Sequence, residues 1–276
     1  GAAISAHAAR DYAKMIHDMA LRRELIQLGV EISDNAKTFS VDLEPDQMIV
    51  AAESKLYSLA ESGTAERGFV PFLQAATEAV ISANLAYQRE GALSGISTGL
   101  TDLDKKLGGL HPSDLLILAG RPSMGKTSLA VNIAFNIARA YKKGERQDGT
   151  YGTISGGVVG FFSLEMSSEQ LAARILSDAA QIPSENIRRG DMNEAEFRRF
   201  VEAAKELETC PLYIDDTPAL PIAQVAARCR RLKRTHGLDV VMVDYLQLLR
   251  GTGRADSRVL EIGEISMGLK AIAKEL

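Results

Sequence analysis

The spacing of hydrophobic positions changes part-way along the chain. In the first hundred residues they recur every three or four positions, the period of helices with one apolar stripe. Ala9, Tyr12, Ala13, Ile16, Met19, Ala20 and Ile26 predict a helix over about 6–32. Pro45 suits the first turn of a second helix over 45–62, whose stripe is Ile49, Ala52, Leu56 and Leu59. Together they suggest a helical hairpin. A polar, Gly-containing break at 63–68 follows. Phe72, Leu73, Ala76, Val80, Ile81 and Leu85 then predict a third helix over 69–89. Gly91, Ser94 and Gly95 make the next stretch a linker. The third stripe needs a surface to pack on, either in its own domain or on a neighbouring subunit.

From about residue 100, short apolar runs alternate with helical stripes. Strands are expected near 115–119, 158–163, 212–215 and 239–244, and helices near 127–140, 168–180, 194–207 and 221–235. This alternation predicts an α/β fold with a parallel sheet covered by helices on both faces. Residues 142–157 are polar and Gly-rich and read as a surface loop. Their glycines follow no strand, so they are not a second phosphate loop. The domains expected are 1–66, a helical hairpin; 67–96, a linker helix and linker; and 97–276, the sheet domain.

Composition narrows the function classes. The 276 residues are 46% hydrophobic and 25% charged, with a net charge of −4. Any nucleic-acid contact must therefore come from local loops, not from a broadly basic surface. Trp is absent and aromatics make up 5%, which argues against wide base-stacking platforms. Two cysteines, Cys210 and Cys229, and four scattered histidines give no zinc-like spacing. So few cysteines fit a reducing cytoplasm, and no apolar run approaches the 18 residues of a membrane span. A membrane partner is not expected.

The strongest chemical signal is Gly-Arg-Pro-Ser-Met-Gly-Lys-Thr at 120–127, directly after the apolar run 115–119. Gly120 and Gly125 permit a tight loop whose N–H groups face phosphate oxygens. Arg121, Pro122, Ser123 and Met124 complete the cradle, and Ser128 extends it into the helix. Lys126 can reach the terminal phosphates, and the Thr127 hydroxyl can ligate Mg²⁺. The following helix directs its positive end at the same anion. The pattern predicts binding of a nucleoside triphosphate with Mg²⁺.

Two further strands end in carboxylates. Val240–Val243 runs into Asp244, placed to hold Mg²⁺ opposite Thr127, as in a Walker B strand. Val158–Leu164 runs into Glu165. That carboxylate either polarises water at the terminal phosphate or is a solvated side chain before the next helix, which Ser167 and Gln170 cap. Asp215-Asp216-Thr217 reads first as a turn or cap, with a supporting role near the nucleotide or the channel as the alternative. The basic residues of 221–235 (Arg228, Arg230, Arg231, Lys233, Arg234) read first as a solvated face, with direct DNA contact as the alternative. Residues 250–258 hold Arg250, Arg254 and Arg258 in a Gly-containing stretch, either an exposed loop or one that grips a phosphate backbone.

Several segments jointly resemble the bacterial replicative DNA helicase family, DnaB. They are 120–127, Phe-Ser-Leu-Glu-Met (162–166), Val-Asp-Tyr-Leu-Gln-Leu (243–248), the run 264–276, and Ser-Thr-Gly-Leu-Thr-Asp-Leu-Asp (97–104) leading to Gly108-Gly109-Leu110. The resemblance implies a RecA-like P-loop ATPase that forms a hexameric ring on single-stranded DNA and moves 5′ to 3′. By position it makes Glu165 the water-activating residue, with Lys126 and Asp244 beside it in catalysis, and Gln247 a relay of nucleotide state. Arg250, Arg254 and Arg258 fall in a DNA-contacting loop, and the linker helix would dock on the adjacent subunit. Primase and a helicase loader are the implied partners.

The resemblance also implies parts that are absent from this sequence. They are the globular part of an N-terminal domain and, after Leu276, a strand with a sensor glutamine, a second DNA loop and an arginine finger. By analogy that strand lies between the P-loop and Walker B strands, and without the arginine finger the 276 residues alone are expected to be impaired. A RecA/RadA-type recombinase or a clock-type RecA-like ATPase shares the P-loop and Walker B strand but not the helical hairpin and linker; a non-enzymatic assembly module, whose helical part scaffolds a partner while nucleotide only stabilises the ring, is the third reading.

Overall fold

The computed structural model describes residues 6–37, 45–61, 69–88, 93–145, 151–251 and 257–276. Two compact units divide the chain, residues 1–78 and 79–276, with the division inside a helix.

The first unit is built on α1 (Ala6–Lys37) and α2 (Pro45–Glu61). They pack around Leu28, which is buried, with Leu21, Met48, Ala52 and Leu59 half-buried. Lys55 pairs with Glu31 across the seam. The stripe expected on α1 is not that seam: Tyr12, Ile16, Met19 and Ile26 are exposed. The physical reason is length. α2 has 17 residues against 32 in α1, so it covers only part of the longer helix. α3 (Phe72–Gln88) carries its predicted stripe, yet Phe72, Leu73, Val80 and Ile81 are exposed.

The second unit holds the sheet. After α4 (Thr101–Leu107) and α5 (Lys126–Arg139) come β1 (Lys142–Glu145) and β2 (Tyr151–Ser155), an antiparallel ribbon where a surface loop was expected. Its polar, Gly-rich residues hid a pairing that needs no buried face. The central sheet follows: β3 (Val159–Ser163), β4 (Leu212–Asp215) and β5 (Val240–Asp244), parallel and in the order β4-β3-β5. Between the strands lie α6 (Ser168–Ala180), α7 (Ser184–Arg189), α8 (Glu194–Leu207) and α9 (Ile222–His236). A 3-10 turn (Leu246–Leu248) and α10 (Arg258–Glu275) complete the unit.

Alternation along the strands makes two cores. Val159 and Phe161 of β3, Ile214 of β4, and Val240 and Met242 of β5 pack against Val131, Ala134, Phe135 and Ile137 of α5 and Leu171 and Ile175 of α6. Phe162 of β3, with Val241 and Val243 of β5, meets Val225 and Cys229 of α9 and Ile265, Leu269 and Ile272 of α10 on the other face. Gly160 lies under α9, where a Cβ would come within 3.1 Å of Leu232. Helices on both faces of a parallel sheet are the α/β arrangement expected of a RecA-like domain. A small satellite core of Ala180, Ile182 and Ala203 joins α6 to α8.

The run 115–119 departs from expectation. It forms no strand and pairs with no described strand, and Leu116, Ile117 and Leu118 are 51%, 66% and 50% exposed. Apolar residues alone do not make a strand; a neighbouring strand must supply hydrogen-bond partners. None of the described strands pairs with this run, although Leu115 packs against the core on one face of the sheet.

Candidate nucleotide-binding and catalytic site

Parallel strands bring their carboxyl ends to one edge. In register, Ser163 stands beside Asp244 and Phe162 beside Asp215. α5 packs on one face of these strands, and its last turn meets the start of β3, where Gly157 N–H donates to the Ile137 carbonyl at 3.1 Å. Fourteen residues at about 1.5 Å each put its N-terminus roughly 20 Å away, towards the carboxyl edge. Thus the P-loop, Glu165 and Asp244 all belong to one end of the sheet.

The loop before α5 has the backbone that the sequence demanded. Ser123 and Gly125 take positive φ, 63° and 81°. No atom lies within 4 Å of where a Gly125 Cβ would be, so glycine is required there by backbone geometry and not by crowding. The Lys126 ammonium donates to two carbonyls of its own loop, Gly120 at 2.9 Å and Arg121 at 3.0 Å. These neutral oxygens occupy donors that anionic phosphate oxygens would bind more strongly. Thr127 and Ser128 are half-buried in the first turn of α5.

Asp244 is only 8% exposed at the end of β5, and its carbonyl accepts the Leu164 N–H at 2.9 Å. A buried carboxylate and a threonine hydroxyl are hard oxygen donors of the kind Mg²⁺ takes. Glu165 follows directly and is exposed, with its backbone held on both sides. Ser163 Oγ donates to the Met166 carbonyl at 2.7 Å. Ser167 and Gln170 form the expected capping box of α6.

The other sequence candidates divide. Asp215 is no simple cap: Arg228 of α9 bridges its carboxylate at 2.5 Å and Thr217 Oγ1 at 2.7 Å. Burial pushes the pKa of Asp215 up, but the hydrogen bonds from Arg228 and Thr217 outweigh it and hold the carboxyl below its ordinary value. Arg230 forms a two-pronged pair with Glu275 of α10 at 2.6 and 2.8 Å. Arg228 and Arg230 are therefore structural cross-links, not a free solvated face. Arg250 is exposed, and its backbone bridges to Pro221. Arg254 lies outside the described residues. Arg258 pairs with Glu261 and donates to the Gln247 carbonyl. The Gln247 side chain itself is exposed.

Sequence reading gave Asp104 no role of its own. It is 6% exposed and accepts from Ser97 Oγ at 2.6 Å, Thr98 N at 2.8 Å and Thr98 Oγ1 at 2.7 Å. Asn136 of α5 donates to the Thr98 carbonyl at 3.2 Å, so this knot ties the 97–104 segment to the P-loop helix. The Ser-Thr pair six and seven residues before the aspartate was the available signal.

Comparison with known proteins identifies the family. The DnaB-like helicase C-terminal domain family matches residues 95–276. A Rickettsia conorii protein named replicative DNA helicase DnaB is 47% identical over 266 residues, covering 96% of this chain and 53% of the relative. The Bacillus subtilis replicative DNA helicase DnaC is 35% identical over 96% of this chain and 55% of its own length. The chain thus spans about half the length of these relatives. Among solved structures, a DnaB-like replicative helicase, described with its interactions with primase, matches with a TM-score of 0.60 and 27% identity, over 99% of this chain and 59% of that one. A second solved structure, an ATPase domain, matches with a TM-score of 0.62 and 29% identity, over 72% of this chain and 66% of that one. With the phosphate loop and the two strand-end carboxylates on one edge of a doubly covered parallel sheet, the chain belongs to the DnaB-like helicase family.

Proposed function

We propose that this chain carries the motor of a replicative DNA helicase, which couples ATP hydrolysis to 5′-to-3′ movement on single-stranded DNA as a homohexameric ring. The observation that carries the reading is the convergence of the P-loop, Glu165 and Asp244 at one sheet edge. Residues 120–128 bind the triphosphate, with Lys126 exchanging its loop carbonyls for phosphate oxygens. Thr127 and Asp244 would hold Mg²⁺, which neutralises charge on the phosphates. Glu165, exposed on a pinned backbone, accepts a proton from the attacking water.

Arg250, Arg254 and Arg258 face DNA phosphates in this reading. Arg258 then has to exchange Glu261 for a phosphate, which would loosen its hold on the Gln247 carbonyl and so link DNA to the Walker B strand. The exposed stripe of α3 supports docking on an adjacent subunit of the ring. Primase is supported as a partner by the DnaB-like relative described with it; a loader follows from the family role alone. No helix among the described residues is long and apolar enough to cross a membrane. The cytoplasm is the compartment this function requires.

The test is unwinding of forked DNA by the complete natural protein and its Lys126→Ala variant. Unwinding with 5′-to-3′ polarity that disappears in the variant is the expected result. ATP-dependent strand exchange, or ATPase indifferent to DNA, would contradict it.

A further inference from the structure

Glu165 sits in a four-residue connection between β3 and α6, and the backbone on each side of it is tied to a different strand. On the near side, Leu164 N–H donates to the Asp244 carbonyl of β5. On the far side, Ser168 N–H, the first of α6, donates to Asp216 Oδ2 at 2.7 Å. Asp216 lies just past the end of β4, and it is not free to swing. Its neighbours Asp215 and Thr217 are both gripped by Arg228, and Thr217 N–H closes a turn onto Asp215 Oδ1 at 3.1 Å. This stapled corner aims the Asp216 carboxylate at the start of α6, where the helix dipole favours an anion. The hydrogen bond from Ser168 holds the Asp216 carboxyl below its ordinary value, as a charge-assisted bond should.

The geometry points to Asp216 as a positioning residue for hydrolysis: it fixes the α6 end of the Glu165 connection, so that Glu165 is held at the reacting phosphate's edge of the sheet. This rests on the reading of Glu165 as the group that activates water. Asp216 is exposed, so its side chain fills no core space. Its removal leaves no cavity, which separates a positioning role from a packing one. A displacement of about 1 Å at a catalytic group can cost about a hundredfold in rate. A loosened connection with Ser163 and Leu164 still holding the near side should cost less, about tenfold.

The experiment uses the complete natural protein and measures DNA-stimulated ATP hydrolysis, ATP affinity and thermal midpoint for Asp216→Ala, Asp216→Asn, Glu165→Gln and the double variant Glu165→Gln/Asp216→Ala. Asp216→Ala should lower kcat about tenfold with ATP affinity and thermal midpoint unchanged. Asp216→Asn should recover most of the rate, since its amide oxygen still accepts from Ser168 N–H. In the Glu165→Gln background, Asp216→Ala should have no further effect. A slow Glu165→Gln beside an unchanged Asp216→Ala overturns the positioning role alone, as does a tenfold loss that persists in the Glu165→Gln background. A fall of ATP affinity and thermal midpoint together with kcat, unrelieved by Asp216→Asn, makes the residue structural and also overturns it. Wild-type hydrolysis by Glu165→Gln overturns the reading of Glu165, and this inference with it.

Discussion

The two halves of the candidate site are built in opposite ways. The Glu165 and Asp244 half stands on β3 and β5, whose side chains are packed on both faces and whose ends are tied by backbone hydrogen bonds. The P-loop half stands on residues 115–119, an apolar run paired with no described strand, in which Leu116, Ile117 and Leu118 are at least half exposed. Both runs look alike in sequence. What separates them is their neighbours: a strand is a relation between segments, and four large aliphatic residues in a row specify only a willingness to be covered. The P-loop keeps its cradle regardless, because its conformation comes from local glycine geometry and from α5, which is well packed.

The contrast can be broken most severely in the core. Phe161→Ala should cost the second unit about 3–5 kcal/mol in urea unfolding, because its ring is buried between α5 and the sheet. The matched change Ile117→Ala should stay within about 0.5 kcal/mol, as for a surface residue. Similar costs at the two positions would mean that 115–119 is packed in solution.

The Asp104 knot sharpens the comparison, since it anchors the packed side of the P-loop helix. Asp104→Ala leaves Ser97 and Thr98 donors without their acceptor and should cost about 1–3 kcal/mol. Burial raises the pKa of Asp104, but hydrogen bonds from Ser97 and Thr98 outweigh that and hold the carboxyl below 3.8. Its contribution is therefore complete above about pH 3.8 and is lost as pH falls through the lower folded value. Unfolding titrations at neutral pH and near pH 3 should show the wild type losing its advantage over Asp104→Ala; a constant difference would remove Asp104 from the account.

A smaller effect is expected at the loop itself. Gly125→Ala meets no neighbour, so its cost is the positive φ alone, about 1 kcal/mol of stability. A cost near that of Phe161→Ala would show a crowding that the structure lacks.

Much of this was legible in the residues. Apolar runs and stripes located three of the four expected strands and four sheet-domain helices within a residue or two. The phosphate loop was readable because its chemistry is local: a glycine at 125 for positive φ, with a lysine and a hydroxyl at fixed offsets. What escaped were pairings between distant segments. Sequence could not give the β1–β2 ribbon, the Arg228 staple on Asp215 or the Arg230–Glu275 cross-link, since each joins residues that no period relates. For the same reason the stripes of α1 and α3 announced an apolar face but not whether this chain covers it.

The central claim is that one edge of the sheet both holds the triphosphate and supplies the group that activates water. Fluorescent ATP-analogue binding and hydrolysis, measured side by side on Glu165→Gln in the complete natural protein, test it most directly. Binding within about twofold of wild type with hydrolysis reduced by about 10²–10⁴-fold is the expected result. Loss of binding together with hydrolysis, or hydrolysis at the wild-type rate, would contradict it.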